Sequence, residues 1–560
     1  MSQFQQILDP AAGSLALSAL VAAVPLTSLF VMLGVLRWPA HRSALVSLAL
    51  SVIIAVAVWQ MPVMQAASAT FEGALYGVFP ILWILINAIW VYRLTEITGW
   101  FEVLGDKIRS ISDDQRIQAI LIAFCFGALL ESLAGFGAPV AISAAMLMAA
   151  GMKPIKAAVV SLLANTAPVA FGAMAAPIIT LSSVTGLDLH TLSQMAGRQT
   201  PFVAVFVPFI LVFLVDGRRG LRETWAIALV AGVTFGVAQF ITANFIAVEI
   251  TDIVAAVVTV AAVLGAVRIL RPATPAGVDE QSDESGTGLP VPTGPVGTGG
   301  AAPVTAEHVA VAPSKRSTLG AVAPYLVIIA VFSISQLPVI KPWLAEHGTW
   351  KFHWPGLDVV DAAGKPVGAQ IFKLDHIKAT GTLLLLSGLI VMGIYRISPR
   401  KALQAYWDTL VKLRFTIVTV TAVLALAFVM NLSGQTQSLG FALASAGGLF
   451  ALLSPLIGWI GVAITGSDTS SNSLFGLLQV TAANHAGLDP ILMAATNSSA
   501  GVLGKMLSPQ NLAVAAAAVG MVGREGEIFR RLIWWSLGML AVFTVFIYLQ
   551  STDVLGWMVP

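Results

Sequence analysis

Charged residues are scarce in this sequence. Asp, Glu, Lys and Arg together make up 10% of the 560 residues, whereas 57% of the residues are hydrophobic. A soluble domain carries about 25% charged residues, so this composition excludes an ordinary soluble protein and indicates a polytopic membrane protein in a lipid bilayer. The formal net charge is only +2, and the Lys and Arg residues cluster between apolar runs, so we expect no nucleic-acid partner.

Cysteine and several functional motifs are also missing. Cys125 is the one cysteine, which excludes an intrachain disulfide and fits a free thiol in an apolar core. The sequence has no GxxxxGK[ST] phosphate loop and no HExxH motif, so an ATP-driven pump and a zinc hydrolase are not indicated. The seven His are scattered, and we expect neither a metal site nor a cofactor. The N-terminus, MSQFQQILDP, lacks the basic residues of a signal peptide.

Long apolar runs predict about 12 membrane-spanning segments, since a spanning helix needs about 20 mostly apolar residues. Clusters of Lys and Arg between these runs predict the cytoplasmic face. The clusters are Arg37–Arg42, Arg93–Arg116, Arg218–Arg222, Arg396–Arg414 and Arg524–Arg531. This pattern predicts that both termini and the polar loop 340–378 lie on the outer, periplasmic face.

A stretch rich in Gly, Pro, Ser and Thr divides the sequence into two transmembrane halves, 1–271 and 319–560. Residues 272–318 have no hydrophobic periodicity and predict a flexible cytoplasmic linker. Each half contains one apolar run that is interrupted in its middle, at 117–152 and at 439–487. The first run has basic residues at both ends and the second borders outer loops, so we predict two re-entrant hairpins that enter from opposite faces.

Each interruption combines irregular backbone with a carboxylate. The first is ESLAGFGAP at 131–139, where two Gly weaken the helix and Pro suits the start of a new one. The second is GSDTSSNS at 466–473. Irregular backbone at membrane depth is tolerated only where it is buried in protein or lines a watery cavity. Corresponding broken helices in two halves mark the binding site of many transporters, so we interpret the two breaks as the site.

A short internal repeat supports two related halves. Three residues of the first half recur 332 positions later in the second half. The pairs are Asn165 and Asn497, Gly172 and Gly504, and Pro177 and Pro509. We therefore expect an all-α polytopic membrane protein built from two inverted-topology repeats, with broken helices and re-entrant hairpins near mid-membrane.

Two carboxylates are candidates for proton coupling. Glu131 is the only acidic residue between Arg116 and Asp188 and lies roughly 20 Å along a helix from Arg116. A buried carboxyl with no cation nearby favours its neutral form, so Glu131 is the predicted proton carrier and Asp468 the organiser of the polar site. The structural alternatives are a neutral Glu131 bonded to backbone and an Asp468 that caps a helix near a surface loop.

Helix N-termini at the two breaks predict an anion site. A helix that begins near Pro139 leaves backbone N–H groups free at the positive end of its dipole. A helix that begins after Ser471, with Ser or Asn as its cap, does the same. Lys505 could pair with a substrate carboxylate or with Asp468, or could snorkel to the cytoplasmic interface. The other expected substrate contacts are Phe136, Gly137, Ala138, Asn165, Ser470, Ser471, Asn472, Asn497, Ser498, Ser499 and Gln510. The Asn and Ser side chains among them could equally serve helix packing.

Four long motifs resemble the lactate permease family. They are LLESLAGFGAPVAISAAMLMAAG, SLLANTAPVAFGAMAAP, TGSDTSSNSLFG and NSSAGVLGKMLSPQN. The resemblance extends over nearly the whole chain and implies import of a small 2-hydroxymonocarboxylate: L-lactate, and often D-lactate and glycolate. It further implies coupling to a proton and a location in the bacterial inner membrane. It identifies neither the residue that carries the proton nor the oligomeric state, so a homo-oligomer stays open.

Other classes of function are weighed against this one. The hydroxyl-rich GSDTSSNS could ligate Na⁺, so a Na⁺-coupled carboxylate transporter is the alternative within transport. A membrane-embedded enzyme would need a metal cluster or a nucleophile with its base, and a lactate-sensing receptor would need a soluble output domain. The sequence indicates none of these features, and we expect a secondary transporter rather than an enzyme.

Overall fold

The computed structural model describes residues 3–135, 137–270, 318–367 and 370–560. Phe136 and nearly all of the predicted linker lie outside these residues. The described part of the first half is helical apart from one short strand, β1 (Phe4–Gln5). Its helices are α1 (Leu15–Phe30), α2 (Ala40–Ala57), α3 (Val63–Tyr76), α4 (Trp83–Glu96), α5 (Trp100–Arg109), α6 (Gln115–Gln118), α7 (Gly127–Ala134), α8 (Ala138–Ala149), α9 (Pro154–Ala164), α10 (Gly172–Thr185), α11 (Leu189–Phe245) and α12 (Thr251–Ile269).

The second half adds ten helices and three short strands among the described residues. The helices are α13 (Thr318–Ser335), α14 (Ile340–His347), α15 (Thr380–Ile394), α16 (Pro399–Ser433), α17 (Gln435–Ala444), α18 (Phe450–Thr465), α19 (Asp468–Ala486), α20 (Pro490–Lys505), α21 (Pro509–Ala518) and α22 (Glu525–Gln550). The strands β2 (Trp350–His353), β3 (Val359–Val360) and β4 (Ile371–Leu374) lie in the predicted outer loop.

The helices confirm a polytopic α-helical membrane protein. Within the described ranges, nine helical segments are long and apolar enough to cross a membrane, or eleven if each of two bent pairs is one span. One bent pair is α9 with α10, at 63°, and Pro168 lies between the two helices. The apolar helices α8 and α15 are shorter than a full span.

Several segment boundaries differ from the prediction. Residues 60–71, which contain no Lys or Arg, belong mostly to α3, which begins at Val63 directly after Pro62. The expected inner turn near Asp216 is a bend inside α11, where Gly217 adopts a φ of 58°. The expected hairpin 439–487 consists of α18 and α19, with α17 as a separate short helix before it. Apolar content alone therefore does not give these boundaries.

Polar contacts group the predicted inner loops on one face. Arg116 is fully buried, and its guanidinium contacts Asp114, Asp216 and Glu223 at 2.8–3.0 Å. Trp90 donates a hydrogen bond to the Ala402 carbonyl, which brings α4 to the start of α16. These contacts join three of the basic segments that the sequence assigns to the cytoplasmic face.

The N-terminus packs against the predicted outer loop. Strand β1 pairs in parallel with β3, with Phe4 opposite Val359. Gln6, which directly follows β1, donates hydrogen bonds to the carbonyls of Asn431 and Leu432 at the end of α16. The N-terminus, the loop 340–378 and the end of α16 therefore lie on the same face, as the basic-loop pattern predicts.

Candidate functional site

Two helical hairpins present their breaks to one small cavity. In the first, α7 ends before Gly135 and α8 begins after Gly137, whose φ of 86° is left-handed. In the second, α18 ends at Gly466, with φ 75°, and Ser467 caps α19. Glycine adopts such backbone at little cost because it has no Cβ. Gly137 and Gly466 therefore let the chain turn between two helices within a few residues.

The cavity collects residues from both hairpins and from both broken helices. The volume open to the centre of a water molecule is about 30 Å³. By the same measure, a cavity needs about 10–15 Å³ to hold one water. It therefore has room for a few non-hydrogen atoms, and three charged residues are among those that line it. The lining residues are Glu131, Gly135, Val169, Gly172, Ala173, Pro177, Gly466, Ser467, Asp468, Thr469 and Lys505.

Glu131 and Lys505 form a buried ion pair in this cavity. Lys505 Nζ lies 2.6 Å from Glu131 Oε1, and the two residues are 5% and 3% exposed. The second carboxylate oxygen, Oε2, accepts a 2.9 Å hydrogen bond from Asn165 Nδ2. The expectation that Glu131 has no cation nearby is wrong, because Lys505 reaches it from the last residue of α20 in the other half.

Asp468 has no ion-pair partner among the described residues. Its Oδ2 accepts a 2.5 Å hydrogen bond from Ser498 Oγ, while its Oδ1 is buried without a hydrogen-bond partner in the described structure. The sequence allowed Lys505 to pair with Asp468, but the ion pair forms with Glu131. The second acid of the cavity is therefore held by a neutral hydroxyl.

The start of α19 differs from the expected position. The predicted helix begins after Ser471, but α19 begins at Asp468, and the Ser467 side chain accepts a hydrogen bond from the Ser470 N–H. Ser470, Ser471 and Asn472 consequently lie inside the helix and not at its N-terminus. A Ser-x-x-Ser spacing offers more than one cap, and the left-handed Gly466 fixes the earlier one.

Ser471, Asn472 and Asn497 join helices behind the cavity. Asn472 Nδ2 donates to the Pro177 carbonyl at 3.1 Å, and its Oδ1 accepts from Asn497 Nδ2 at 2.9 Å. Asn497 also donates to Ser471 Oγ and accepts from Gln479 Nε2. These bonds fit the packing alternative and tie α19 to the break of α10.

The other predicted residues lie around the breaks. A Cβ on Gly137 would come within 3.3 Å of Asn511 and Val514, and one on Gly466 within 3.1 Å of Gln510. Ala138 is the first residue of α8. Ser499 is buried with no hydrogen-bond partner among the described residues. None of these four predicted residues lines the cavity, although Gln510 adjoins its wall.

The sequence missed the first turn of α10 as part of the site. A Cβ on Gly172 would lie 2.9 Å from Glu131 Oε1, so the carboxylate occupies the space that a side chain would fill. The next three residues, Ala173, Met174 and Ala175, all have left-handed φ values of 45–58°. This conformation costs about 1–2 kcal/mol per residue, and such strain is typical of functional sites. The recurrence of Gly172 and Pro177 in the repeat was the one signal in the sequence.

Each hairpin contacts the broken helix of the other half. The tip of the first hairpin meets Lys505 and Asn511 at the break between α20 and α21. In the second hairpin, Gly476 of α19 packs against Leu181 and Val184 of α10. The site is therefore shared between the halves, and movement of one half relative to the other would change the cavity.

The charges in the cavity can exchange partners. If Glu131 and Asp468 are ionised and Lys505 is protonated, the three groups carry a total charge of −1. An entering carboxylate can pair with Lys505 only by replacing Glu131, and the released carboxylate is then uncompensated unless it takes up a proton. The arrangement is suited to exchange of a carboxylate ligand against a proton-binding carboxylate.

Comparison with known proteins places this chain among permeases. The family model for L-lactate permease matches residues 18–553. The glycolate permease GlcA of Escherichia coli (strain K12) is 40% identical over 558 residues, 98% of each chain. An L-lactate permease of Bacillus subtilis (strain 168) is 39% identical and covers 100% of both chains. The solved structure of Neisseria gonorrhoeae MtrF, from a class of antimetabolite efflux pumps, is similar at 13% identity and TM-score 0.48, over 93% of this chain and 97% of that chain. The family match and the two relatives over nearly their full lengths show that this chain belongs to the L-lactate permease family.

Proposed function

We propose that this protein is a secondary active transporter that imports L-lactate, together with D-lactate and glycolate, with a proton across the bacterial inner membrane. The observation that carries the proposal is the ion pair between Lys505 and Glu131 in a small cavity between two broken hairpins. The names of the relatives, L-lactate permease and glycolate permease, support the substrate class.

The ion pair supports a mechanism for coupling. The substrate carboxylate would pair with Lys505 and displace Glu131, which then binds a proton because a buried, unpaired carboxylate is strongly disfavoured. The loaded site would hold substrate and proton together as a net neutral pair. An empty site would restore the ion pair between Glu131 and Lys505. Substrate or proton alone would leave one uncompensated charge, which discourages uncoupled movement.

Buried carboxylate and amide oxygens near the ion pair would select the substrate. Asp468 Oδ1 and Asn165 Oδ1 are buried acceptors without partners among the described residues. The 2-hydroxyl group of lactate or glycolate is a donor that could satisfy one of them. A carboxylic acid without this hydroxyl would leave the acceptor unpaired, which costs about 1–3 kcal/mol.

The proposed orientation puts both termini and the strands β2–β4 in the periplasm, with the two hairpins entering from opposite faces. It is supported by the basic clusters and by the pairing of β1 with β3. We propose no oligomeric state.

Uptake by purified protein in proteoliposomes tests the proposal. Radiolabelled lactate should accumulate when the interior is made alkaline relative to the exterior, and the accumulation should collapse with a protonophore. Equal accumulation with and without the pH gradient would contradict proton coupling. Failure of excess unlabelled lactate and glycolate to compete would contradict the substrate class.

A Na⁺-coupled carrier is the second candidate. Three buried amide or carboxylate oxygens, on Asn165, Asp468 and Asn511, have no hydrogen-bond partner among the described residues, and oxygen atoms are the ligands that hard cations prefer. Replacement of external Na⁺ by choline at fixed pH separates the two candidates. Uptake that depends on Na⁺ and ignores the pH gradient would favour the second.

A further inference from the structure

A third buried carboxylate lies close to the cavity but outside its lining. Asp252, the second residue of α12, has no exposed surface. Its Oδ1 accepts a 3.1 Å hydrogen bond from Gln239 Nε2 of α11. Its Oδ2 is buried and has no hydrogen-bond partner among the described residues. An acidic side chain with one neutral donor and one unpartnered oxygen is unusual at this depth, and the ion pair of the site does not use it.

Asp252 is connected to the site through Gln239. The same amide nitrogen that donates to Asp252 lies 3.5 Å from the Ala167 carbonyl, in the break between α9 and α10. Two residues earlier in that break, Asn165 donates to Glu131. Helix α12 packs against α7, which carries Glu131, so the two carboxyl groups lie on neighbouring helices.

Other titratable groups near this end of α12 have different partners. Arg198 of α11 donates to Asn244 and to the Met558 carbonyl. Glu249, just before α12, accepts from Thr380. Further titratable side chains on the elements packed against α12 include Cys125, His190 and Tyr325. Among the described ion pairs none includes Asp252, so an ionised Asp252 would have no compensating cation, and burial of its charged form is costly.

The position of Asp252 lies between the site and the proposed outer face. Gln239 is six residues before the end of α11 at Phe245, about 9 Å along the helix. Arg268, at the opposite end of α12, belongs to a basic stretch typical of the cytoplasmic face. Gln239 also accepts a 2.9 Å hydrogen bond from Thr200 Oγ1. Thr200, Gln239 and Asp252 therefore form one hydrogen-bonded group.

We propose that Asp252 is a second proton-binding residue, through which the proton passes between the outer side and Glu131. This inference rests on the proposed proton-coupled function. When substrate displaces Glu131 from Lys505, the Asp252 carboxylic acid gives its proton to the Glu131 carboxylate. The Asp252 carboxylate is then reprotonated from external water. Asp252 loses one proton to Glu131 and gains one from external water, so it ends the step protonated, as it began.

The test compares Asp252→Asn with wild-type protein in proteoliposomes. Asparagine matches the shape of the neutral acid and keeps an acceptor for Gln239, so the protein should fold. We expect lactate accumulation on a pH gradient to fall at least tenfold. Exchange of internal for external lactate at equal pH, which needs no net proton movement, should stay above half of the wild-type rate. Asp252→Glu should restore part of the accumulation, and Glu249→Gln, an acid three residues away, should leave both measurements at the wild-type level.

The outcomes separate this inference from the function on which it rests. If wild-type protein does not accumulate lactate on a pH gradient, proton coupling itself is wrong and the inference fails with it. If wild-type protein accumulates lactate and Asp252→Asn does so equally well, only the role of Asp252 is overturned. Loss of exchange together with accumulation in Asp252→Asn, with no recovery in Asp252→Glu, would show a purely structural role and would also overturn it.

Discussion

Lys505 Nζ and Glu131 Oε1 lie 2.6 Å apart although 374 residues separate them in the sequence. The pair joins the end of α20 to the tip of the first hairpin, so it holds a contact between the two halves. Removing one partner of a buried ion pair costs about 3–5 kcal/mol, because the other charge is left uncompensated. A change at either residue therefore acts on the substrate site and on the arrangement of the halves.

Replacement of Lys505 by Gln should abolish transport. The variant removes the cation that we propose for the substrate carboxylate, and it leaves Glu131 without its partner. We expect lactate binding, measured with purified protein, to weaken by at least 100-fold, and exchange to be lost together with accumulation. Lys505→Arg keeps the charge and serves as the control, with partial activity expected. Wild-type affinity in Lys505→Gln would exclude this residue from substrate binding.

Replacement of Glu131 by Gln should separate exchange from accumulation. A neutral amide cannot bind the coupling proton, but it still accepts the hydrogen bond from Asn165 and leaves Lys505 available for substrate. We expect lactate exchange at equal pH to persist, while accumulation driven by a pH gradient falls to the level of protein-free liposomes. If Glu131→Gln still concentrates lactate on the gradient, the proton is carried elsewhere, and Asp468 is the next residue to test.

Local sequence signals predicted the breaks but not the partners across them. Gly135, Gly137 and Gly466 interrupt apolar runs, so the two hairpins could be inferred from helix-breaking residues alone. The pairing of Glu131 with Lys505 depends on how two distant segments pack, and no spacing in the sequence contains that information. Glu131 has no basic residue close to it in the sequence, because Lys505 approaches it only in the folded structure.

The polar residue types at the breaks likewise predicted which side chains are buried better than they predicted which residues line the cavity. Ser471, Asn472 and Asn497 are fully buried, as the pattern indicated, yet they bond to each other and to backbone. The residues that line the cavity instead include Gly172 and Ala173, which have no functional group to reveal them. A ligand site that is lined by backbone and small side chains is hard to recognise from residue types alone.

Replacement of Gly137 by Val should abolish uptake at normal membrane abundance. Gly137 has a φ of 86°, which a β-branched residue rarely adopts, and a Cβ would come within 3.3 Å of Asn511 and Val514. The first hairpin could not keep its tip against α21. Uptake per transporter, normalised by immunoblot of the membrane fraction, is the measurement. Normal uptake by this variant would remove the GFGAP turn from the site.

Cysteine labelling on a Cys125→Ser background tests the orientation. Lys365 and Arg400 are both exposed, and the first lies in the outer loop while the second lies in a predicted cytoplasmic cluster. A membrane-impermeant maleimide added to intact cells should label Lys365→Cys at once and Arg400→Cys only after the membrane is permeabilised. Labelling of Arg400→Cys in intact cells would reverse the assignment of faces.

Replacement of Gly172 by Ala should move the Glu131 carboxylate away from Lys505. The new Cβ would lie 2.9 Å from Glu131 Oε1 and 3.1 Å from its Cγ, distances that require one of the groups to shift. Since Ala adds no charge and no polar atom, its effect reports the geometry of the ion pair alone. We expect lactate uptake to fall at least tenfold in Gly172→Ala.

The control for that variant is Gly265→Ala in α12, where a Cβ would have no atom within 4 Å. It should retain wild-type uptake. The double variant Gly172→Ala with Glu131→Gln should exchange lactate at equal pH as fast as Glu131→Gln alone, because the two changes act on the same contact. Additive losses would show that Gly172 acts on transport by a route separate from Glu131, and the close approach of this glycine to the carboxylate would then have no part in coupling.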